Sequence, residues 1–323
     1  MYINVLWTQD EALKRFFSKQ SKYPRFKKRH QVKSCCYTLD KRRGAKIFKP
    51  NDLPKLGKVK VVWSFQEIPV TPNSATVSCN SSGQWFISLQ CDYIDVINPP
   101  ETDKAIGLDF GLTPFIADSN GNRVKPRKFY FKYLRKLKSA QRDLSRKVKG
   151  SSNRAKNRIG VARIHQRIAS KRGNFLHDLS TSIVRENQVT AIEDLNVRGI
   201  MANGKLARAV GDCDWSELRC QLTYKAQWYG RQLMTIGRFE RSIGICPDCG
   251  SIGEKLLVNV REWECKECHA HHDRDSAAAK VILQKALTCL SACRQDRSGR
   301  QDTVRRTGIK ACGLADKPEA CLV

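Results

Sequence analysis

An α/β domain behind a mainly β region is the fold class the sequence predicts, and three observations lead to it. Between residues 105 and 290 apolar runs and helical periodicities follow in the order strand, strand, helices, strand, helix, strand. Residues 61–100 contain strand-like runs and no lysine or arginine. The composition is globular, 41% hydrophobic and 28% charged, and 323 residues allow about two domains.

Residues 1–60 carry 17 Lys or Arg against four acids, Asp10, Glu11, Asp40 and Asp52, and so form a basic entry to the β region. KVKVVWSF, ATVSC and QWFISLQ read as strands, with NSSG as the turn between the last two. Pro99 and Pro100 mark a boundary, so residues 1–100 are expected to form a basic, mainly β domain. KAIGLDFGLTPFIADSNGNRV then reads as adjacent antiparallel strands around a Ser-Asn-Gly-Asn turn.

Residues 125–172 hold 18 Lys or Arg and a single acid, Asp143, with Leu134, Leu137, Leu144, Val148, Ile159, Ile164 and Ile168 near helical spacing. GSSN at 150–153 splits them into two basic helices. A solvated helix face normally balances its charge through i,i+4 pairs, which this composition forbids, so a polyanion is expected to offset the repulsion. Phe175, Leu176, Leu179, Ile183 and Val184 predict a further helix over 174–186, and QVTAIEDLNV predicts a strand buried on both faces. In DWSELRCQLTYKAQWYG, Trp215, Leu218, Leu222, Ala226 and Tyr229 share a stripe that reads as core-facing.

The formal charge is +28, from 59 Lys or Arg and 31 Asp or Glu, a surplus that attracts nucleic acid or an anionic membrane. No apolar run approaches the ~20 residues of a spanning helix, and MYINVLWTQDEALKR does not read as a signal peptide, so no membrane partner is expected. A reducing compartment, the cytoplasm with its nucleoid, then suits the 14 cysteines as thiols or metal ligands.

Cys246, Cys249, Cys265 and Cys268 form two C-x2-C pairs separated by fifteen residues. Two such knuckles complete a tetrahedral thiolate set for a structural Zn2+. Two matched pairs speak against a thioredoxin-like redox motif, and the spacing is not that of iron–sulfur clusters. Trp263 is expected to pack within this ribbon, with His269, His271 and His272 as bystanders.

Three acids stand out: Asp109 at the end of IGLDFG, Glu193 within TAIEDLN, and Asp275 opening the helix DSAAAKVILQKAL. Carboxylates set in apolar strands are costly unless a cation or metal is near. Asp275 lies in phase with Ala279, Ile282 and Ala286, hence towards the sheet, whereas Asp273 is out of phase. Asp194 competes with Glu193, because strand neighbours face opposite sides. Three convergent acids suit Mg2+; the alternative is three separate surface acids.

IGLDFGLTPFIADSNG, IEDLNVRGI, DWSELRCQLTYKAQWYGR, the two-knuckle ribbon and HDRDSAAAKVIL occur in this order, and with them the sequence resembles the TnpB proteins of insertion sequences. Those are RNA-guided DNA endonucleases related to compact type V CRISPR effectors. The resemblance implies an RNase H-like (RuvC) domain over 101–240 and 270–290, a zinc ribbon inserted at 241–269, and a barrel-like N-terminal domain. It also implies Asp109, Glu193 and Asp275 as catalytic acids holding two Mg2+ ions, the four cysteines as zinc ligands, and a guide RNA and target double-stranded DNA as partners. The acid order differs from that of DDE transposases, the less favoured enzyme class.

The chain departs from the family pattern at Ala277, where the family has Asn, and at Ser242-Ile243-Gly244, where it has Ser-Ser-Lys. The match begins near LWTQDEALKRFF, so a shortened N-terminus and impaired targeting are expected, and a binding-only protein is the rival reading. Residues 291–323, poor in apolar positions, are expected to be a mobile tail.

Overall fold

A computed structural model of the chain describes residues 2–25, 33–38, 52–53, 57–62, 72–91, 98–238, 240–254, 260–295 and 310–312. They fall into two compact units, one of residues 1–95 and 136–167, the other of 96–135 and 168–323.

The first unit opens with a helix, α1 (Tyr2–Phe17), which the strand-based reading of this region did not foresee. Its signals were available: Ala12, Leu13 and Phe16 are half-buried at helical spacing, and Asp10–Lys14 and Glu11–Arg15 are i,i+4 ion pairs. β1 (Lys33–Thr38), two-residue strands β2 (Asp52–Leu53) and β3 (Gly57–Lys58), β4 (Ser74–Cys79) and β5 (Trp85–Gln90) follow. β1, β4 and β5 form an antiparallel sheet, and β2 pairs with β3. ATVSC and QWFISLQ are thus strands, joined where expected: Asn80 Oδ1 accepts the N–H groups of Ser82 and Gln84, and Gly83 takes φ +80°. Of KVKVVWSF only Lys58 is paired as a strand; residues 59–62 are irregular, and Trp63 onward lies outside the described residues.

The second unit is built on a six-stranded mixed sheet. β6 (Ala105–Phe110), β7 (Ile116–Asp118) and β8 (Arg123–Val124) form an antiparallel meander whose turn is closed by Asp118 Oδ1 accepting from Asn120 and Asn122. The basic helices α2 (Phe129–Ser145) and α3 (Ser152–Glu186) come next in the chain, their residues 136–145 and 152–167 belonging to the first unit, with Ser151 capping α3 through the Arg154 N–H at 3.2 Å. The helix expected at 174–186 is not separate: α3 runs unbroken through Gly173, where an added Cβ would meet nothing within 4 Å, so the glycine costs only its ordinary helix penalty.

β9 (Val189–Glu193) enters parallel to β6, buried on both faces as its composition predicts. Short helices α4 (Val197–Ala202) and α5 (Ala207–Cys213) lead to α6 (Trp215–Trp228), whose Trp215, Leu218, Leu222 and Ala226 are buried in the core. β10 (Gln232–Ile236) lies parallel to β9. The hairpin β11 (Glu262–Glu264) and β12 (His271–Asp273) precedes α7 (Arg274–Gln295). Residues 291–295, assigned to the tail, thus complete the last turn of α7. Within the same stretch β13 (Lys310–Cys312) pairs antiparallel with β10; 296–309 and 313–323 lie outside the described residues. The sheet order is β13-β10-β9-β6-β7-β8.

Each sheet face has its own cover. Ile106, Leu108, Ile192 and Leu233 pack with Leu176, Ile183, Leu218 and Leu222 from α3 and α6. Val189, Ala191, Met234 and Ile236 pack with Ile282, Ala286 and Cys289 of α7. Between α7 and β6 the contact is backbone to backbone, because a Cβ at Gly107 would stand 2.1 Å from the Ala279 carbonyl oxygen and 2.9 Å from Leu283 Cβ. Glycine here permits the close approach of another backbone. Gly107→Ala is therefore expected to lower the thermal midpoint steeply, by the several degrees that ~2 kcal/mol represents in a chain this size. Gly160→Ala, on an open face of α3, should instead raise stability by about 0.5–1 kcal/mol; differential scanning calorimetry of both variants checks the contrast.

Candidate active site and metal centre

The register of two parallel strands brings the first two acids together. Leu108 on β6 stands opposite Ile192 on β9, so the next residues, Asp109 and Glu193, lie side by side at the carboxyl ends of neighbouring strands. Such strands are about 4.8 Å apart. Both acids face α7, since Gly107 and Ala191, two positions earlier on the same face, pack against that helix. The Gly107–Ala279 contact also locates Asp275: one helical turn back from Ala279, it enters over the strand end where Asp109 lies. The carboxyl of Asp275 is 14% exposed and accepts a hydrogen bond from Arg261 Nη1 at 2.9 Å.

The electrostatics record this convergence. Asp109 is pushed up to about 7, first by burial and then by the negative charges of Glu193 and Asp275, with Arg274 and the Phe110 N–H opposing. Glu193 is also raised, by burial and by Asp194, against the pull of Lys285. The three acids are nonetheless more widely spread than the cysteines: among the described residues only the cysteine group has all its ligand atoms within 4.8 Å of one another.

The choice between Glu193 and Asp194 is one of parity. Asp194 follows β9 and turns away from Asp109 to be held by Arg219 of α6 and by Arg238 Nη2 at 3.2 Å. Asp273 caps α7, its Oδ1 accepting the Ser276 N–H at 2.9 Å, and pairs with Arg123. Against the cost of burial, those hydrogen bonds hold its carboxyl below the ordinary range. Sequence reasoning missed Arg261 and Lys285, for which no motif signals a role. It also missed Gly107, which a glycine inside an apolar strand could have signalled.

Cys246, Cys249, Cys265 and Cys268 come together from the two knuckles, with Cys246–Cys268 and Cys249–Cys265 sulfurs 3.6 Å apart. The knuckles are built alike. Gly250 N donates to Cys246 O and His269 N to Cys265 O; Gly250 and His269 take φ of +74° and +55°. A hydrogen bond from Ser251, then the N–H groups of Cys268 and Glu267, push the Cys265 thiol down to about 6, towards the thiolate that a metal binds. Four sulfur donors with this spacing fit a structural metal such as zinc. His269 and His271 are exposed as expected of bystanders, but His272 is buried, stacks on Trp263 at 4.9 Å and reaches Cys246 Sγ at 3.2 Å.

Two stretches of the chain match known protein families. Residues 88–204 match the family OrfB_IS605, described as "Probable transposase", and residues 215–282 match the "Cas12f1-like, TNB domain" family. A Streptomyces pristinaespiralis protein provisionally named RNA-guided DNA endonuclease is 45% identical over 293 residues, 87% of this chain and 70% of its own length. InsQ of Escherichia coli, provisionally given the same name, is 32% identical, covering 90% of this chain and 75% of InsQ. A solved structure, the cryo-EM structure of the Cas12f1-sgRNA-target DNA complex, aligns with a TM-score of 0.46 and 15% identity over 66% of this chain and 45% of that one. The chain belongs to the TnpB family of insertion-sequence proteins. No helix among the described residues is long and apolar enough to cross a membrane.

Two outcomes test the site. An acid held near 7 in the fold but near 4 when unfolded makes the native state bind the extra proton between those values, so stability falls as pH rises through that window. Asp109→Asn should leave metal-free stability unchanged near pH 4 and raise it at pH 8, by at most ~4 kcal/mol, read from denaturant midpoints. Elemental analysis should find one zinc per chain, lost in Cys246→Ser/Cys265→Ser. Amide exchange should then accelerate in β11 and β12 while β9 keeps its protection.

Proposed function

We propose that this chain is a metal-dependent DNA endonuclease of RuvC type directed by an RNA encoded with its element, with Asp109, Glu193 and Asp275 as the catalytic acids. One observation carries the reading: the Asp109 carboxyl is buried at a strand end under the charges of both Glu193 and Asp275. A cluster of this kind, only partly offset by neighbouring cations, destabilises a fold, and its use is to receive cations. The sheet supports the RNase H-like assignment, with an antiparallel meander (β8-β7-β6) continued by parallel β9 and β10.

The three acids supply the hard oxygen donors that Mg2+ prefers. Such ions, when bound, supply a nucleophilic water and stabilise the leaving oxygen in phosphodiester hydrolysis. Lys285 balances Glu193, Arg274 balances Asp109, and Arg261 holds Asp275 at the entrance. The 18 Lys and Arg of residues 125–172 suit a nucleic-acid backbone held by charge and shape, while base pairing selects the target. The four cysteines hold zinc in a ribbon that precedes α7, the helix that delivers Asp275.

The test is cleavage of plasmid DNA by protein purified with co-expressed flanking RNA. Mg2+-dependent cleavage is expected from the wild type. Asp109→Ala should lose it by at least 10³-fold, whereas Asp194→Ala, on the other face, should retain activity within about tenfold. Equal cleavage by wild type and Asp109→Ala would overturn the assignment. RNA and DNA binding without cleavage by the wild type would make the protein a binding-only member, a reading that Ala277 in place of the family's Asn favours.

A further inference from the structure

Where β6 leaves the sheet, the chain lines a cavity of about 410 Å³ that the acid cluster does not use. Its walls are Leu112, Phe115, Phe129, Phe131 and Phe175, and its rim carries Arg127, Lys128 and Arg172. Asp212, at the end of α5, also lines it and is 8% exposed. The Oδ1 atom of Asp212 accepts the Tyr130 N–H at 2.8 Å, which anchors the start of α2; its Oδ2 is buried and has no hydrogen-bond partner. Burial raises this carboxyl, against the N–H groups of Tyr130 and Phe131 and the charge of Arg172.

The combination is selective in its chemistry. Four phenylalanine rings in a cavity of this size suit a flat ring system of nucleoside dimensions. The Arg127 guanidinium already lies over the Phe175 ring, 5.5 Å from its centroid, and Phe131 is 43% exposed, with the Tyr130 ring T-shaped to it at 5.7 Å. Cations at the rim suit a phosphate attached to that ring system. Uncharged aliphatic ligands would leave the cations unused.

We propose that this cavity is a nucleotide-binding subsite that takes one unstacked base, with Phe131 as the stacking face and Arg127 and Lys128 on the phosphate. It opens from the strand that carries Asp109, at the carboxyl end where ligands of open α/β sheets characteristically bind. A strand anchored there would be held at one nucleotide independently of base pairing. The site does not require cleavage, and its test is a binding measurement that stands whether or not the protein cuts DNA.

The experiment titrates the full-length zinc-bound protein calorimetrically, in EDTA-free buffer without Mg2+, with GMP, dGMP, AMP, CMP, UMP and ribose 5-phosphate. All five nucleotides are expected to bind, since an aromatic stacking face accepts any base, and ribose 5-phosphate at least tenfold more weakly. Comparison of GMP with dGMP assigns the site to RNA or to DNA. Phe131→Ala, an exposed change that leaves the core intact, should weaken GMP by five- to a hundredfold, as loss of one stacking face does. Arg127→Ala should weaken GMP and ribose 5-phosphate alike. Unchanged GMP affinity in Phe131→Ala, or ribose 5-phosphate binding as tightly as GMP, would overturn the proposal.

Discussion

The backbone contact between Gly107 and the Ala279 carbonyl is the constraint on which the rest of the second unit depends. With no side chain at 107, α7 descends onto β6, and its face of Ala279, Ile282 and Ala286 seals the sheet against Ala191, Met234 and Ile236. The same contact acts as a ruler. Two residues along the strand from Gly107 is Asp109, and one turn back along the helix from Ala279 is Asp275. A bulkier residue at 107 would lift the helix and separate the acids without touching either of them.

That arrangement is held against its own electrostatics. Burial and two neighbouring carboxylates raise Asp109 to about 7, a cost borne by the apolar packing beneath it. Polar partners then sort the remaining acids by face. Asp194, one residue beyond Glu193, is committed to Arg219 and Arg238, and Asp273 to the cap of α7 and to Arg123. Asp109 and Glu193 have positive charge nearby, from Arg274 and Lys285, and Asp275 forms an ion pair with Arg261. Between Glu193 and Asp194, the division between an acid that faces Asp109 and one that is held by arginines follows from strand parity.

The ribbon solves a different problem with different chemistry. A segment of about thirty residues buries too little apolar surface to hold its shape, and the four sulfurs it gathers fit a metal that would cross-link it. Its two knuckles repeat one hydrogen-bond pattern, and the left-handed residue closing each is Gly250 in one and His269 in the other. Glycine adopts that conformation freely, whereas histidine adopts it at a cost that the surrounding turn must meet.

What the sequence by itself determined is whatever is local or periodic. The β4–β5 hairpin follows from NSSG, and the apolar run of β9 from burial on both faces. The stripe of α6 follows from its helical spacing, and the cysteine centre from two C-x2-C pairs whose short reach leaves their thiolates few other geometries. The phase of Asp275 was legible too, because a helix repeats every 3.6 residues. Elements whose signals are weak were misread or missed: α1, whose amphipathic pattern sits within a basic segment, the continuity of α3 through Gly173, and the short helices α4 and α5. Only the tertiary structure decided between Glu193 and Asp194, because the alternation of a strand shows that two neighbours differ in face but not which face meets α7. It alone placed Arg261 beside Asp275 and opened the phenylalanine-lined cavity beside Asp212, since those contacts join residues far apart in the chain, and no local preference encodes a distance across a fold.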